Sequence, residues 1–128
     1  IQSNVIVAEN KIFIPSYNKK IITLDAKTGE KIWELKLDDY APRRGMVYLK
    51  NAKTKSSKLF FSSYKTLVAI NTLDGSYDKN FGKNGKVKLN KPSITAPAIF
   101  KNNLIITTSE PALEVYDLNN GKYKWKFF

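Results

Sequence analysis

The sequence predicts an all-β protein in which one strand-turn-strand motif is repeated three times. The clearest copy is IITLDAKTGEKIW at 21–33, where an apolar strand ends at Asp25, a turn closes at Gly29 and a second strand carries Trp33. Degenerate copies follow at the same 46-residue step, as INTLDG at 70–75 and YDLNNGKYKW at 116–125. Helical periodicity is never sustained for more than a turn. A step of this length is typical of the four-stranded blades of a β-propeller, so we expect a partial propeller.

The repeat units of this single predicted domain span about 1–37, 38–91 and 92–128. The first unit contains four predicted strands, at 5–8, 11–15, 21–24 and 31–37. The Asp25 carboxylate can accept hydrogen bonds from the backbone N–H groups that follow it, and Gly29 can supply the positive φ that ends the turn. Trp33, Leu35 and Leu37 alternate with mostly charged residues, so they are predicted to face the neighbouring sheet.

The second unit is the most divergent copy of the repeat. It begins with a charged connector at 38–45, and its predicted strands lie at 46–49, 59–62, 66–71 and 87–89. Lys79 aligns with Trp33, and it lies in a glycine-rich loop at 77–86. We expect this loop to lie on the rim of the blade, where propellers carry functional residues, although most insertions of this kind are only tolerated.

The third unit restores the repeat. Its predicted strands lie at 98–100, 104–108 and 113–116, and Tyr123, Trp125 and Phe127 then alternate with lysines in a fourth. We interpret Asp25 and Asp117 as structural turn residues rather than catalytic carboxylates, because the same residue type recurs at one repeat position. Trp33 and Trp125 are likewise predicted to pack between neighbouring sheets rather than to form the floor of a cofactor site.

The length of the chain bounds how much of a propeller it can form. The sequence has 128 residues, fewer than three full repeats of 46. Closed propellers need roughly four to eight blades, and an open arc would leave its edge strands unpaired. We therefore expect a piece of a longer chain, completed by the rest of the propeller, since the sequence also starts at Ile1 within the pattern.

The charge and composition narrow the possible chemistry. The net charge is +11, but only two of the 22 basic residues are arginines, and the lysines are scattered through the predicted turns. This pattern favours a solvated surface, so nucleic acid is not a predicted partner. The sequence has no cysteine and no histidine, which excludes disulfides, thiolate metal sites and imidazole catalysis.

Three features of the sequence resemble one enzyme family: the repeat turn LDAKTGEKIW, the run RRGMVY at 43–48, and ITAP at 94–97. Together they resemble the pyrroloquinoline-quinone-dependent alcohol and sugar dehydrogenases, which are eight-bladed quinoprotein propellers. The ordered segments RRGMVY, LFFSSYKTLVAINTLDGS, DKNFGKNGKVKL and ITAPAIF are most similar to the membrane-linked glucose dehydrogenase branch. The resemblance covers nearly all of the chain but only part of such an enzyme.

The resemblance implies oxidation of a glucose-like sugar or an alcohol, with hydride transfer to pyrroloquinoline quinone. It also implies calcium at the cofactor and a quinone or cytochrome as electron acceptor. In the family, an Arg before a Gly at this blade start contacts the quinone, which carries over to Arg44. A guanidinium is a planar, bidentate donor that suits the carboxylates and carbonyls of the cofactor. The alternative for Arg44 is a solvated side chain in a charged connector.

Two further cofactor contacts carry over less directly. The family's Thr aligns with Ile94, and Thr95 stands one residue later, so Thr95 is predicted either to contact a cofactor carboxylate or simply to start a strand. The family's Ser-Gly-Ala-Glu run aligns with 109–112, where Ser109 matches and is a predicted cofactor contact. Ala112 stands in place of the Glu that binds calcium in the alcohol-oxidising members.

No catalytic residue or metal ligand is assigned to this chain. Glu110 is interpreted as a turn carboxylate in preference to a displaced calcium ligand. The catalytic aspartate and the remaining calcium ligands of the family are expected in blades outside this sequence.

The favoured hypothesis is a fragment of a periplasmic quinoprotein dehydrogenase that is inactive by itself. An inner-membrane anchor outside this sequence is left open. The alternative is a non-catalytic propeller scaffold for protein–protein interaction, of the outer-membrane assembly type. Arg44 and the 77–86 loop separate these two hypotheses, because both are expected in the enzyme and dispensable in the scaffold. Propellers of the WD type usually carry a Gly-His pair, so the lack of histidine argues against a third hypothesis.

Overall fold

The computed structural model describes residues 5–16, 18–39, 41–42, 45–50 and 56–127. These residues form twelve β-strands: β1 (Ile6–Ala8), β2 (Lys11–Ser16), β3 (Lys20–Asp25), β4 (Lys31–Lys36), β5 (Met46–Lys50), β6 (Ser57–Ser63), β7 (Thr66–Asn71), β8 (Lys86–Lys88), β9 (Ala98–Phe100), β10 (Asn103–Thr108), β11 (Ala112–Asp117) and β12 (Tyr123–Phe127). Among the described residues, no helix has the length and apolar character needed to cross a membrane.

The strands of the described residues form three separate four-stranded sheets, here called blades 1, 2 and 3. Their strand orders are β1-β2-β3-β4, β5-β6-β7-β8 and β9-β10-β11-β12, with every neighbouring pair antiparallel. Each blade is therefore a meander of consecutive strands, and the longest connection within a blade, residues 72–85, joins β7 to β8. The predicted fold class, an all-β partial propeller, is confirmed.

The repeat turn forms as the sequence predicts. The Asp25 carboxylate accepts hydrogen bonds from the N–H groups of Lys27 at 2.8 Å and Thr28 at 3.0 Å, and these bonds hold the pKa of Asp25 below its usual value. Gly29 closes the turn at φ 76°, a conformation that L-residues rarely adopt. In the third copy, the Asp117 carboxylate accepts equivalent hydrogen bonds from the backbone N–H groups of Asn119 and Asn120.

Trp33 fastens blade 1 to blade 2. Its indole Nε1 donates a hydrogen bond to the carbonyl of Thr72 at 2.9 Å, and its ring centroid lies 6.0 Å from that of Phe13. The ring lies directly against the repeat turn of blade 2, because a Cβ placed on Gly75 would approach Trp33 Cε3 to 2.5 Å. The prediction that Trp33 packs between sheets is confirmed.

For Trp125 the same prediction stays a prediction. Trp125 is 53% exposed and Phe127 is 64% exposed, because no described sheet lies over that face of blade 3. The alternation of Tyr123 and Trp125 with lysines does not put the two rings on one face of the sheet. A register shift in the pairing of β11 with β12 puts Tyr123 beside Tyr116 and Trp125 beside Val115, which are consecutive residues on opposite faces of the sheet.

Blade 2 replaces the repeat tryptophan with a detour of its last strand. The chain pairs briefly at Tyr77, which bridges Ile70, and resumes regular pairing only at β8. The residue opposite Ala69, where the register of blade 1 has Trp33, is therefore Gly85 rather than the aligned Lys79. The intervening residues 78–84 are an insertion in the register.

The detour supplies its own aromatic residue to the next blade. Phe81 is fully buried and packs edge-on against Phe60, with ring centroids 5.6 Å apart. The N–H of Gly82 donates to the carbonyl of Asn120 at 2.7 Å, and a Cβ on Gly121 would approach Phe81 Cε1 to 3.3 Å. Phe81 thus occupies the repeat turn of blade 3 much as Trp33 occupies that of blade 2.

Two apolar clusters lie between the three blades. The first, between blades 1 and 2, contains Phe13, Ile21, Leu37, Met46, Leu59, Phe61, Val68 and Ile70. The second, between blades 2 and 3, contains Phe60, Leu67, Ala69, Phe81, Leu89, Leu104, Ile106, Tyr116 and Leu118. Burial of these side chains is the main force holding each blade on the next.

A polar network built on Glu9 adds to the contact between blades 1 and 2. The Glu9 carboxylate accepts hydrogen bonds from the Tyr48 hydroxyl at 2.7 Å and the Thr72 hydroxyl at 3.1 Å, and Lys11 Nζ lies 3.6 Å away. Burial raises the pKa of Glu9, but hydrogen bonds from Ser57, Tyr48 and Thr72 together outweigh it and hold the pKa below its usual value.

This network should make the stability of the chain depend on pH. A depressed carboxyl pKa contributes stability above the unfolded-state pKa, and that contribution is lost as the pH falls through the folded-state pKa. We therefore expect the wild type to lose more thermal stability than Glu9→Gln between about pH 6 and about pH 3. Thermal melts across this range would measure the difference, with the exposed Glu30→Gln as a matched control. Parallel curves for the wild type and Glu9→Gln would contradict the role given to Glu9.

Candidate functional site

The first strands of the blades form one edge of the arc. β1 and β5 belong to different sheets yet contact each other, so their edges converge, and β9 holds the same place in the third sheet. This is the inner edge of the arc, where strands of successive propeller blades line the central channel. The chain reaches β5 through the segment of Arg44 and β9 through the segment of Thr95, whereas Ser109 follows β10.

The structure brings the Thr95 and Ser109 segments together at one end of blade 3. The N–H of Ile94 donates to the carbonyl of Thr107 at 2.8 Å, and the N–H of Ser109 donates to the carbonyl of Pro92 at 3.0 Å. The carbonyl of Thr95 accepts a hydrogen bond from the hydroxyl of Ser93 at 3.0 Å. The side chains of Thr95 and Ser109 are exposed, and within the described residues neither hydroxyl makes a hydrogen bond.

Arg44 lies outside the described residues, but its neighbour Gly45 is described and buried. Gly45 has φ 108°, and a Cβ placed on it would lie 3.3 Å from the Cβ of Ala96. The start of blade 2 therefore packs against the residue that follows Thr95. The backbone brings two of the three predicted contact segments side by side, and the strand ladder adds Ser109.

These residues have the chemistry that a carboxylated quinone requires on this side. The hydroxyl groups of Thr95 and Ser109 can donate hydrogen bonds to carboxylate oxygens. The backbone of Gly45 packs closely against Ala96, the residue after Thr95. The group with the strongest donors, the guanidinium of Arg44, is a prediction from the resemblance alone. The two hydroxyl groups are therefore suitable hydrogen-bond donors for the carboxylates of the cofactor. That they contact the cofactor stays a prediction.

Glu110 is engaged within its own blade. Its Oε1 lies 2.8 Å from Nζ of Lys126, and this ion pair raises the pKa of Lys126. Ala112, which the resemblance aligns with an acidic ligand, is buried at the start of β11. No group of three or more acidic side chains suited to a metal occurs in the described segments. The prediction that calcium ligands lie outside this chain stays a prediction.

Sequence reasoning missed a buried carboxylate on β11, an interior strand of blade 3. Glu114 is only 5% exposed and accepts a hydrogen bond from the Tyr116 hydroxyl at 2.6 Å. The signal was present, because the period of two in ALEVYD places Glu114 on the buried face with Ala112 and Tyr116. A charge at such a position is unusual, since charged side chains are rarely buried so deeply without an ion-pair partner.

The fold and the repeat define the class of this protein: it carries successive blades of a β-propeller. The chain matches the family model described as "PQQ: Glucose/ethanol/alcohol dehydrogenase, beta-propeller domain" over residues 1–128. It therefore belongs to this family of quinoprotein-type propeller domains, as the resemblance predicted. A search of curated proteins found no match.

Solved structures show the same fold at low sequence identity. They include a quinohemoprotein alcohol dehydrogenase from Comamonas testosteroni, with TM-score 0.73, 19% identity, and coverage of 98% of this chain and 20% of that one. A europium-containing methanol dehydrogenase gives TM-score 0.71, 16% identity and coverage of 95% and 23%. BamB from Moraxella catarrhalis gives TM-score 0.71, 14% identity and coverage of 97% and 34%. The chain thus spans between a fifth and about a third of the length of the structures it resembles.

Proposed function

We propose that this chain is part of a quinoprotein dehydrogenase that oxidises a glucose-like sugar or an alcohol. The observation that carries the proposal is the match of the whole chain to the dehydrogenase propeller family. The cofactor would be pyrroloquinoline quinone, with calcium bound by residues outside this chain. Electrons would pass to a quinone or cytochrome acceptor, and the protein would work in the periplasm, with or without an inner-membrane anchor elsewhere in the protein.

In this proposal, the chain contributes binding and orientation rather than proton transfer. Arg44 would pair with the cofactor, and Thr95 and Ser109 would donate hydrogen bonds to its carboxylates from one end of blade 3. When bound, the quinone supplies the hydride acceptor. No described residue is proposed as the catalytic base, so the 128-residue chain alone is expected to be inactive.

The rest of the propeller is the proposed partner for both end faces. On blade 3, Trp125 and Phe127 expose an apolar face with no described sheet over it. On blade 1, Gly29 has the same turn geometry as Gly75 but no atom within 4 Å of an added Cβ. Since Trp33 lies on Gly75, a preceding and a following blade could be held by the same contact.

The alternative function is a non-catalytic scaffold that binds other proteins. Two points favour it: the similarity to BamB over 97% of this chain, and the family resemblance, which aligns Ala112 with an acidic calcium ligand. The 77–86 loop no longer separates the two hypotheses, because its residue Phe81 is part of the core and would be needed in either. The distinction now rests on Arg44.

Substitution of Arg44 tests the proposal directly. In the full-length protein supplied with calcium, we expect Arg44→Ala to weaken binding of pyrroloquinoline quinone by about tenfold to a hundredfold, because a charge-assisted hydrogen bond is lost. Titration of the cofactor would measure this change, and dye reduction with glucose and simple alcohols would measure turnover. Arg43→Ala, which removes the adjacent guanidinium, is the matched control.

The outcomes separate the two functions. Turnover that depends on the cofactor, and that weakens in Arg44→Ala but not in Arg43→Ala, supports the dehydrogenase and the position of Arg44 at the quinone. A parent protein that binds no quinone at all would leave the scaffold as the better hypothesis.

A further inference from the structure

A cavity of about 380 Å³ lies between the outer edges of blades 2 and 3. Its walls are Val87 and Lys88 of β8, the following Asn90, Glu114 and Tyr116 of β11, and Tyr123 and Lys126 of β12. These strands stand at the far side of each sheet from β5 and β9, so the cavity is separate from the predicted cofactor contacts. Its volume falls within the range of roughly 300–1,000 Å³ that is usual for small-molecule sites.

The corresponding space between blades 1 and 2 is almost filled. The register places Val68, Tyr77 and Lys86 of blade 2 where blade 3 has Glu114, Tyr123 and Lys126. The cavity lined by those three residues measures only about 40 Å³. The repeat itself therefore needs no cavity at this position, and the third copy has opened one.

The third copy also makes this position polar. Val68 and Ile70 are buried aliphatic residues in blade 2, and the residues in register with them in blade 3 are Glu114 and Tyr116. Burying a carboxylate costs free energy that an aliphatic side chain does not cost. An exchange of this kind is expected where a site serves a ligand rather than the stability of the fold.

One oxygen of the Glu114 carboxylate is left to accept a hydrogen bond from a ligand. The Tyr116 hydroxyl donates to Oε1 of Glu114, and among the described residues no donor reaches Oε2. Burial and the adjacent carboxylate both raise the pKa of Tyr116, so this hydroxyl keeps its proton and remains a donor. Lys126, which also lines the cavity, is paired with Glu110.

The remaining walls select a neutral ligand with one apolar face. Lys88 and Lys126 oppose a cationic ligand, and Glu114 opposes an anionic one. Tyr123 is 58% exposed and stands edge-on to Tyr116 at 5.8 Å, which leaves ring surface for a C–H face. Asn90 offers both a donor and an acceptor.

We propose that this cavity is a binding site for a neutral sugar ring, whose hydroxyls would bond to Glu114, Asn90 and Lys88 while its C–H face lies on Tyr123. The ligand is a monosaccharide, free or at the end of a glycan. The site is separate from the dehydrogenase chemistry and stands whichever of the two functions holds.

The test uses the full-length protein without added quinone, so that no sugar is oxidised. The probes are the methyl glycosides of glucose, galactose and mannose, the corresponding disaccharides, and n-butylammonium as a cation. Saturation-transfer NMR and titration would measure binding. We expect saturable binding of at least one glycoside, weakened about tenfold or more by Tyr123→Ala, which removes the aromatic contact. Tighter binding of disaccharides than of glycosides would identify a glycan end as the ligand.

Two further variants sharpen the result. Glu114→Val restores the residue type of blade 2 and should also weaken binding at least about tenfold, through the lost hydrogen bonds to a charged acceptor. Phe100→Ala removes another exposed aromatic ring, in β9 at the opposite edge of blade 3 from Tyr123, and should leave binding unchanged. The proposal is overturned if no sugar binds saturably, if Tyr123→Ala leaves binding unchanged, or if n-butylammonium binds more tightly than every sugar. Should Glu114→Val fail to fold, Tyr123→Ala still decides, because its side chain is exposed.

Discussion

Gly75→Ala is expected to destabilise this chain by about 2–5 kcal/mol, as the sum of backbone strain and overpacking. Gly75 adopts φ 77°, which costs an L-residue about 1–2 kcal/mol. The added Cβ would also stand 2.5 Å from Cε3 of Trp33 and 2.8 Å from two further ring atoms. The ring cannot retreat freely, because its indole is hydrogen-bonded to the carbonyl of Thr72. Urea unfolding of the 128-residue chain would measure the loss.

The chain contains a matched control for this substitution. Gly29 has almost the same φ, 76°, but an added Cβ there meets no atom within 4 Å. Gly29→Ala should therefore show the backbone strain alone, and the difference between the two variants measures the contact with Trp33. In a double-mutant cycle, Trp33→Ala should relieve part of the cost of Gly75→Ala. Equal losses for Gly29→Ala and Gly75→Ala would show that Trp33 is not held against the turn.

The sequence was sufficient to predict the fold because the repeat encodes local geometry. Each copy places an Asp or Asn before a turn and a Gly with positive φ at its end, and these features depend on near neighbours in the chain. Period-two alternation then assigns one face of each strand to the core. The packing of Trp33 between two sheets could be predicted in the same way, because its partner Gly75 belongs to the next copy of the same turn.

The failures of prediction arise where a contact is not local. Lys79 aligns with Trp33 by counting residues, but the strand register skips 78–84 and puts Gly85 at that position. Counting also missed the register shift that turns Tyr123 away from Trp125, since a bulge changes the face of every residue beyond it. The exposure of Trp125 depends on what lies beyond blade 3, which periodicity within the blade cannot determine.

The candidate site was the least predictable part. Thr95 and Ser109 were named from family resemblance, and only the ladder between 92–94 and 107–109 shows that they share one end of blade 3. The cavity at Glu114 shows the opposite case. The period of two in β11 places Glu114 on the buried face, so its burial could have been predicted. The volume of the cavity depends on the distance between blades 2 and 3, which a sequence pattern does not give.

Phe81→Ala should be strongly destabilising, with an expected loss of about 3–5 kcal/mol in the free energy of unfolding. Phe81 is fully buried, and it packs on Phe60 within the cluster that joins blades 2 and 3. The detour can collapse only partly into the space left behind. Its first residues are held by the ion pair of Asp78 with Lys58, and Gly82 is bonded to the carbonyl of Asn120. Urea unfolding, followed by tryptophan fluorescence and circular dichroism, would measure the change.

Phe100→Ala provides the comparison, because Phe100 is 60% exposed and its truncation should cost no more than about 0.5 kcal/mol. Phe81→Leu keeps most of the volume and should cost less than about 1.5 kcal/mol, provided that the neighbours repack. If Phe81→Ala cost no more than Phe100→Ala, the 77–86 loop would be a tolerated surface insertion. A large loss would instead make it the element that fastens blade 2 to blade 3. The sequence marked the loop by its glycines, and the physical reason for them is that Gly82 and Gly85 let the chain leave the sheet, insert one aromatic ring and return.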